Sequence, residues 1–254
     1  PIQPLLDGLS QLGVHAVSEH RNGCPPVIVE SSGLTGGHVR MAGHQSSQFF
    51  SALMLVAPYT RYGVTIDVEG KLVSRLFIDM TATVMGRFGV AVRHENYQHI
   101  HIPGNQAYRA MTYDVEPDAS AASYFFAAAA ITGGRIRVEG LGKDCAQGDL
   151  KFVDVLEQMG CQVIREEHAT EVIGPETLKG INLDMSAISD TALTLAAIAP
   201  FADAPVTIRG LAHTRVQETD RIAASTAELR RLGIEVEEFP DRMIIYPGTP
   251  QSAS

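Results

Sequence analysis

One pattern returns roughly every 72 residues along this chain, and it restricts the fold to units that stack on copies of themselves. Four times an amphipathic segment ends in hydrophobe-Gly-hydrophobe. The copies run from Leu5-Leu6 to Leu12-Gly13-Val14, from Ile78 to Phe88-Gly89-Val90, from Phe152-Val153 to Met159-Gly160-Cys161, and from Ile222 to Leu232-Gly233-Ile234. Their apolar residues recur every three or four positions, the period of a helix with one buried stripe. Each Gly fits the residue just past a helix end, where φ is often positive. An alternating strand follows, as in Ile234-Glu235-Val236-Glu237.

A second motif interleaves with the first. It has a small polar start, a nearly all-apolar helix, a turn and a strand. The copies are Ser46-Ser47-Gln48-Phe49 to Ala57, Asp118-Ala119-Ser120 to Ile131, and Ser189-Asp190-Thr191 to Phe201. The strands that follow are 64–68, 135–138 and 206–209. A helix apolar all round is expected to be buried, and a helix with one apolar stripe to cover a surface. Each unit therefore holds one buried helix, one covering helix and several short strands, giving an α/β repeat architecture of about three and a half units. The chain opens on a covering helix and stops after a covering helix and its strands, so missing neighbours are expected at both ends. The longest polar break, Pro103 to Pro117, marks a lobe boundary near residue 116, dividing 1–116 from 117–254. Gln251 to Ser254 reads as a tail.

Charge and composition narrow the function. Twenty Lys and Arg stand against 29 Asp and Glu, a formal net charge of −9. Nonspecific binding to nucleic acid is not expected of so acidic a chain. With 45% hydrophobic residues there is ample material for a core. The most apolar stretch, Ala192 to Ala202, is broken by Thr194 and Pro200 and is far shorter than the ~20 residues of a membrane span. The first residues carry no basic leader region. Cys24, Cys145 and Cys161 fit neither a disulfide framework nor a metal motif, so a reducing cytoplasm is the expected compartment. His94, His99 and His101 lie close in sequence, but no Cys or carboxylate completes a metal set, and they read as surface residues. Gly36-Gly37 and Gly133-Gly134 read as turns.

The polar helix starts admit two readings. Ser and Asp are good N-caps, and for each start that is the plain explanation. A helix N-terminus also attracts anions, and Ser46-Ser47-Gln48 offers two hydroxyls and an amide, more donors than a cap needs. The densest polar cluster is Arg215-Val216-Gln217-Glu218-Thr219-Asp220-Arg221. It reads as a capping box with Thr219 as N-cap, or as a site where Arg221 holds a carboxylate while Glu218 handles a proton.

Five stretches together carry a resemblance. They are Ser46-Ser47-Gln48-Phe49-Phe50-Ser51-Ala52-Leu53, Val115-Glu116-Pro117-Asp118-Ala119-Ser120 to Phe125, Gln147-Gly148-Asp149, Ser189-Asp190-Thr191-Ala192-Leu193-Thr194, and Arg215 to Arg221. Across essentially the whole chain, in order and spacing, they resemble the 5-enolpyruvylshikimate-3-phosphate (EPSP) synthase family. The UDP-N-acetylglucosamine enolpyruvyl transferases are similar in fold but lack this set. The resemblance implies an incomplete, two-lobed, inside-out α/β fold of βαβαββ units that closes on its substrates. It implies transfer of an enolpyruvyl group from phosphoenolpyruvate to the 5-hydroxyl of shikimate 3-phosphate, with loss of phosphate and with neither metal nor organic cofactor. By resemblance Ser46, Ser47, Gln48 and Ser74 hold shikimate 3-phosphate, with Gln48 also near phosphoenolpyruvate. Asp190 matches the proton acceptor and a substrate ligand, Glu218 a proton donor, and Arg221 the arginine that grips phosphoenolpyruvate. His213 and Gln217 fall in the same substrate-binding set. The intact family implies a monomer; open repeat ends would let an incomplete chain associate.

The chain departs from the family pattern at several places. Gln217 stands where the family has Lys, and a neutral amide supplies no positive charge. Phe77 stands where a Tyr is common, His213 where Asn or Ser is, and Pro117 in place of Gly. The family's N-terminal Lys-Ser motif and Asn-Ala-Gly-Thr loop, and its C-terminal Asp-His-Arg and late Lys, have no counterpart here. The expectation is the central part of an enolpyruvyl transferase, folded but catalytically incomplete alone. Three other readings stay open: a binding-only protein, a transferase with another acceptor, and a structural repeat protein.

Overall fold

The computed structural model describes residues 1–252; Ala253 and Ser254 of the expected tail lie outside the described residues. The chain divides into two compact units, Pro1–Tyr113 and Asp114–Ser254.

The first unit opens with helix α1 (Gln3–Gln11) and an antiparallel ribbon of β1 (His15–Ser18) and β2 (Val27–Glu30). A complete repeat follows: β3 (Gly37–Ala42), α2 (Gln48–Val56), β4 (Val64–Glu69), α3 (Leu76–Arg87), β5 (Arg93–Glu95) and β6 (His99–Ile102). Its sheet has the order β3-β4-β6-β5. β3 and β4 are parallel, and the other pairs are antiparallel. Val64, Ile66 and Val68 alternate inward along β4 and meet Phe50, Leu53 and Met54 of α2 and Ile78 and Met85 of α3 in one buried core.

The second unit begins with α4 (Ala119–Thr132), β7 (Arg135–Glu139), α5 (Phe152–Gln158), β8 (Gln162–Arg165) and β9 (Ala169–Ile173), whose antiparallel sheet has the order β7-β9-β8. A second complete repeat follows, made of β10 (Asn182–Asp184), α6 (Ala192–Ile198), β11 (Val206–Arg209), α7 (Arg221–Arg231), β12 (Val236–Glu238) and β13 (Met243–Ile245). Its order, β10-β11-β13-β12, with β10 and β11 parallel, reproduces that of the first unit. The expected βαβαββ repeat is thus present twice in full.

The four repeat glycines behave alike. Gly13, Gly89, Gly160 and Gly233 each follow a helix end with φ of +82°, +87°, +102° and +78°. Only Gly takes this conformation without steric cost, so it can reverse the chain from covering helix into strand.

Four expectations need correction. The all-apolar helix α4 is not buried all round, because its packed neighbours leave one stripe free; Tyr124, Phe125, Ala128 and Ile131 face solvent. The helix expected to reach Phe201 ends at Ile198, since Pro200 has no N–H for another helical bond, and Ala199–Phe201 closes as a 3-10 turn. The N-cap of α7 is Asp220, not Thr219; its carboxylate accepts from the Ala223 N–H at 3.0 Å and is bound by Arg215 at 2.7 Å. Gln251 is not a loose tail, for its backbone N–H donates to the Leu232 carbonyl at 2.8 Å. Among the described residues no helix is long and apolar enough to cross a membrane.

Candidate functional site

In each complete repeat, loops leaving the C-terminal ends of the two parallel strands carry the predicted site residues into helix starts. Such strand ends are where open α/β sheets place their ligands. The two sets belong to different compact units.

In the first unit, β3 leads through Gly43 to Ser46, Ser47 and Gln48 at the head of α2, and β4 leads to Ser74 before α3. The Val73 N–H donates to the Gly43 carbonyl at 2.9 Å, tying the two loops together. Ser46 Oγ accepts from the Gln48 N–H at 3.2 Å, a local bond of the capping kind. Ser47 is the N-cap residue and buried, yet its side chain makes no capping bond. Gln48 is exposed. Ser74 takes φ +48°, a left-handed conformation that costs a non-Gly residue about 1 kcal/mol. Strain of this kind clusters at functional sites.

In the second unit the groups are charged and bonded to each other. Arg221, the first residue of α7, donates from Nη1 to Asp190 Oδ1 at 2.8 Å. Its Nη2 and Nε donate to Glu218 Oε2 at 2.7 and 3.1 Å. A cation at a helix N-terminus opposes the helix dipole, and these two carboxylates offset that cost. Burial works against the Arg221 charge, but Asp190 and Glu218 outweigh it and raise its pKa. The backbone N–H of Glu218, and then Arg221, hold the Glu218 carboxyl below the usual glutamate value.

Asp190 sits in the 3-10 turn Ser189–Thr191 that opens α6. His213 is buried behind it, with Nε2 3.0 Å from Ser189 Oγ. The ring thereby braces the turn that carries Asp190. Gln217 is half-buried, and its side-chain oxygen is buried without a hydrogen-bond partner among the described residues.

One carboxylate here received no role from the sequence. Asp149 is buried beside the head of α4 and accepts from Ser120 Oγ at 2.6 Å. Burial first, then the charges of Asp190 and Asp118, push its pKa up, against the pull of the Ser120 bond. Gln147 completes the contact, accepting from the Ala119 N–H at 2.8 Å and donating to the Pro117 carbonyl at 2.7 Å. The Gln147-Gly148-Asp149 motif was the available signal, but spacing does not reveal which helix it serves. Asp118 is a plain N-cap, its Oδ1 accepting from the N–H groups of Ser120 and Ala121 at 2.8 and 3.1 Å.

His99 bonds Asp67 at 2.7 Å, and His101 lies 3.0 Å from Thr65 Oγ1. Burial pushes the Cys161 thiol up to about 11. No cluster of three or more His, Cys, Asp or Glu able to hold a metal ion occurs among the described residues.

Comparison with known proteins gives a consistent result. The family model for EPSP synthase (3-phosphoshikimate 1-carboxyvinyltransferase) matches residues 1–254. A curated 3-phosphoshikimate 1-carboxyvinyltransferase of Trichormus variabilis is 49% identical over 247 residues, covering 97% of this chain and 58% of the relative. One of Yersinia pseudotuberculosis serotype O:3 is 46% identical over 255 residues, covering all of this chain and 59% of the relative. An EPSP synthase structure from Acinetobacter baumannii superimposes with a TM-score of 0.77 at 24% identity, covering 98% of this chain and 57% of that one, a likeness of fold. The chain therefore spans somewhat under three-fifths of the length of the curated relatives it matches.

Proposed function

Since the chain belongs to the EPSP synthase family, we propose that it forms the central part of an enzyme that moves the enolpyruvyl group of phosphoenolpyruvate onto the 5-hydroxyl of shikimate 3-phosphate. The contact of Arg221 with Asp190 and Glu218 carries this reading, because it gathers a base, an acid and an anion-binding cation on two neighbouring helix starts.

The roles follow from the chemistry. The 5-hydroxyl gives up its proton to Asp190 as its oxygen bonds to C2 of phosphoenolpyruvate. C3 gains a proton from Glu218, which makes the tetrahedral adduct. Loss of phosphate from C2, with return of a C3 proton, restores the enol double bond. Two carboxyls in different surroundings divide such tasks. The backbone N–H of Glu218, and then Arg221, favour its ionised form. When Arg221 turns to the phosphoenolpyruvate carboxylate, its part of that effect is lost and Glu218 takes a proton more readily. Bidentate binding suits a guanidinium. Ser46, Ser47, Gln48 and Ser74 supply neutral donors to shikimate 3-phosphate, where the unused capping capacity of Ser47 and the strained Ser74 support a ligand role. Gln217 presents an acceptor in place of the family's cation, and His213 keeps Asp190 in position through Ser189. The whole protein works without metal or organic cofactor, in the cytoplasm and as a monomer; Cys24, Cys145 and Cys161, none of them in a disulfide, suit that compartment.

For the 254 residues alone we propose affinity without turnover, since they span 58% of the length of the Trichormus variabilis relative. Phosphate release from phosphoenolpyruvate in the presence of shikimate 3-phosphate is the test. The chain alone should release none. The chain extended to the length of its relatives should release phosphate, and Asp190→Ala should lower the rate at least a hundredfold. Equal rates for the extended chain and its Asp190→Ala variant would sink the assignment.

A further inference from the structure

The loop that carries Gln217 and Glu218 leaves β11 after Arg209 and reaches α7 at Arg221. Its first part is secured to the hairpin of β12 and β13, where the Leu211 N–H donates to the Asp241 carbonyl at 2.9 Å. Its last part is a short arc. Among the described residues, Gln217, Glu218 and Thr219 enter no backbone–backbone hydrogen bond with other elements. A segment without such bonds is mobile unless its ends are fixed.

Arg215 fixes both ends. Its Nη1 donates to Asp220 Oδ2 at 2.7 Å, which bridges the arc from one side to the other. Its Nε donates to the Pro240 carbonyl at 2.8 Å. Its Nη2 donates to the Phe239 carbonyl at 2.7 Å and to Glu238 Oε1 at 3.0 Å. Those three acceptors lie at the end of β12 and in the turn after it. Asp220 is also the N-cap of α7, and its other oxygen accepts from the Ala223 N–H at 3.0 Å. One guanidinium thus joins the hairpin, the arc and the helix start from which Arg221 reaches Asp190 and Glu218. Four of its five N–H donors are spent in doing so. One remains, too few for the two-donor grip on a carboxylate or phosphate. Arg215 therefore does not stand in for the cation absent at Gln217.

We propose that Arg215 is a positioning residue: by pinning the arc to the hairpin it sets where Glu218 and Arg221 stand, without touching substrate. This rests on the reaction proposed above and on the roles given there to those two residues. A lysine cannot replace it, because an ammonium is a single point and does not reach acceptors spread around a planar fork.

The test has one arm without substrate and one with it. In the 254-residue chain, glutamyl endopeptidase should cut after Glu218 at least fivefold faster in Arg215→Lys than in the parent, while Glu228–Leu229, inside α7, stays resistant. Equal cleavage after Glu218 overturns the proposal. If Glu228–Leu229 opens as well, the whole unit has loosened and Asp220→Asn takes the place of Arg215→Lys. That change keeps a capping oxygen but turns an amide NH2 toward Arg215, and it should give the same selective cleavage. In the chain extended to the length of its relatives, Arg215→Lys should lower kcat at least tenfold. In a Glu218→Gln background the same change should cost at least threefold less, because one group it positions is gone. A kcat within twofold of the parent, or losses that simply multiply, overturn the proposal. If the extended parent releases no phosphate, the reaction fails, and the cleavage arm still decides whether Arg215 holds the arc.

Discussion

The repeats β3–β6 and β10–β13 share a strand order and a pattern of parallel and antiparallel pairs, yet the loops at their parallel strand ends have unlike chemistry. In the first repeat these loops hold Ser46, Ser47, Gln48 and Ser74, all neutral. In the second they hold Asp190, Glu218 and Arg221 in direct ionic contact. Val64 and Val206 take equivalent places, as do Ile66 and Ile208, each facing a matched position on β6 or β13, the third strand of its own sheet. The inward alternation of the strands therefore specifies the frame, and the frame tolerates whatever the loops carry. The difference teaches that stability and chemistry are set by separate residues in this fold, even where they lie a few positions apart.

The strongest way to break that equivalence is in the core. Ile66 and Ile208 are both fully buried. Ile66→Ala and Ile208→Ala should each cost about 2–5 kcal/mol in their own unit, by lost burial and an unfilled cavity. Hydrogen exchange in urea, resolved by peptide, reads each unit separately. Costs that differ by more than about 2 kcal/mol would mean the two frames are not physically alike. The loops should then separate the repeats. Arg221→Ala leaves two carboxylates without their shared cation; both are at least partly exposed to solvent, so the cost should be about 1 kcal/mol, confined to the second unit. Gln48→Ala, at an exposed neutral start in the first, should change stability by no more than about 0.5 kcal/mol.

Much of the frame was legible in the sequence because it rests on local periodicity. The four helix-ending glycines and the strand at 206–209 follow from spacing alone. What was not legible depends on partners distant in sequence. Thr219 and Asp220 are both competent caps, and Arg215 reaching Asp220 accompanies the choice of the second. His213 was grouped with the substrate ligands, but its ring meets Ser189, 24 positions away. Asp149 stood in one of the resembling stretches without a role of its own, since nothing nearby in sequence reveals that α4 and Ser120 bury it. The free face of α4 escaped notice for the same reason. Composition reports that a helix is apolar, while only the count of neighbours decides which sides are covered. Pro200 was the exception, a visible stop signal whose shortening of α6 the periodicity masked.

The buried carboxylate of Asp149 gives the comparison a pH dependence, because the loops of the first repeat contain nothing like it. Its folded pKa is raised, chiefly by burial. Above that pKa the ionised form is penalised in the folded state, and the penalty fades as pH falls and the proton returns. Asp149→Asn keeps an oxygen for Ser120 and removes the charge. Thermal unfolding of the second unit should therefore shift up by a few degrees at pH 7, and the gain should shrink toward pH 4. Glu218 and Asp220 run the other way. Their carboxyls are lowered, the first by its own backbone N–H and then Arg221, the second chiefly by the Ala223 N–H. The stability they add is present above the ordinary carboxylate range and is lost as pH falls through their lowered values. An Asp149→Asn gain that stays constant across this range would show that folding leaves the proton affinity of Asp149 unchanged.

A small stabilising effect is expected at Gln217. Its side-chain oxygen is buried and unbonded among the described residues, and an unsatisfied buried acceptor costs about 1–3 kcal/mol. Gln217→Met has similar length and no polar atom, so it should raise the stability of the second unit by about 1 kcal/mol, read as a higher urea midpoint at unchanged slope. Ser47→Ala is the matched change in the first repeat: its hydroxyl makes no capping bond there, so the loss should be within about 0.5 kcal/mol. In the extended protein both changes should weaken binding of shikimate 3-phosphate if, as proposed, both side chains serve as ligands there. If Gln217→Met destabilises the unit, the side chain has a partner within the fold, and its place among the substrate ligands falls.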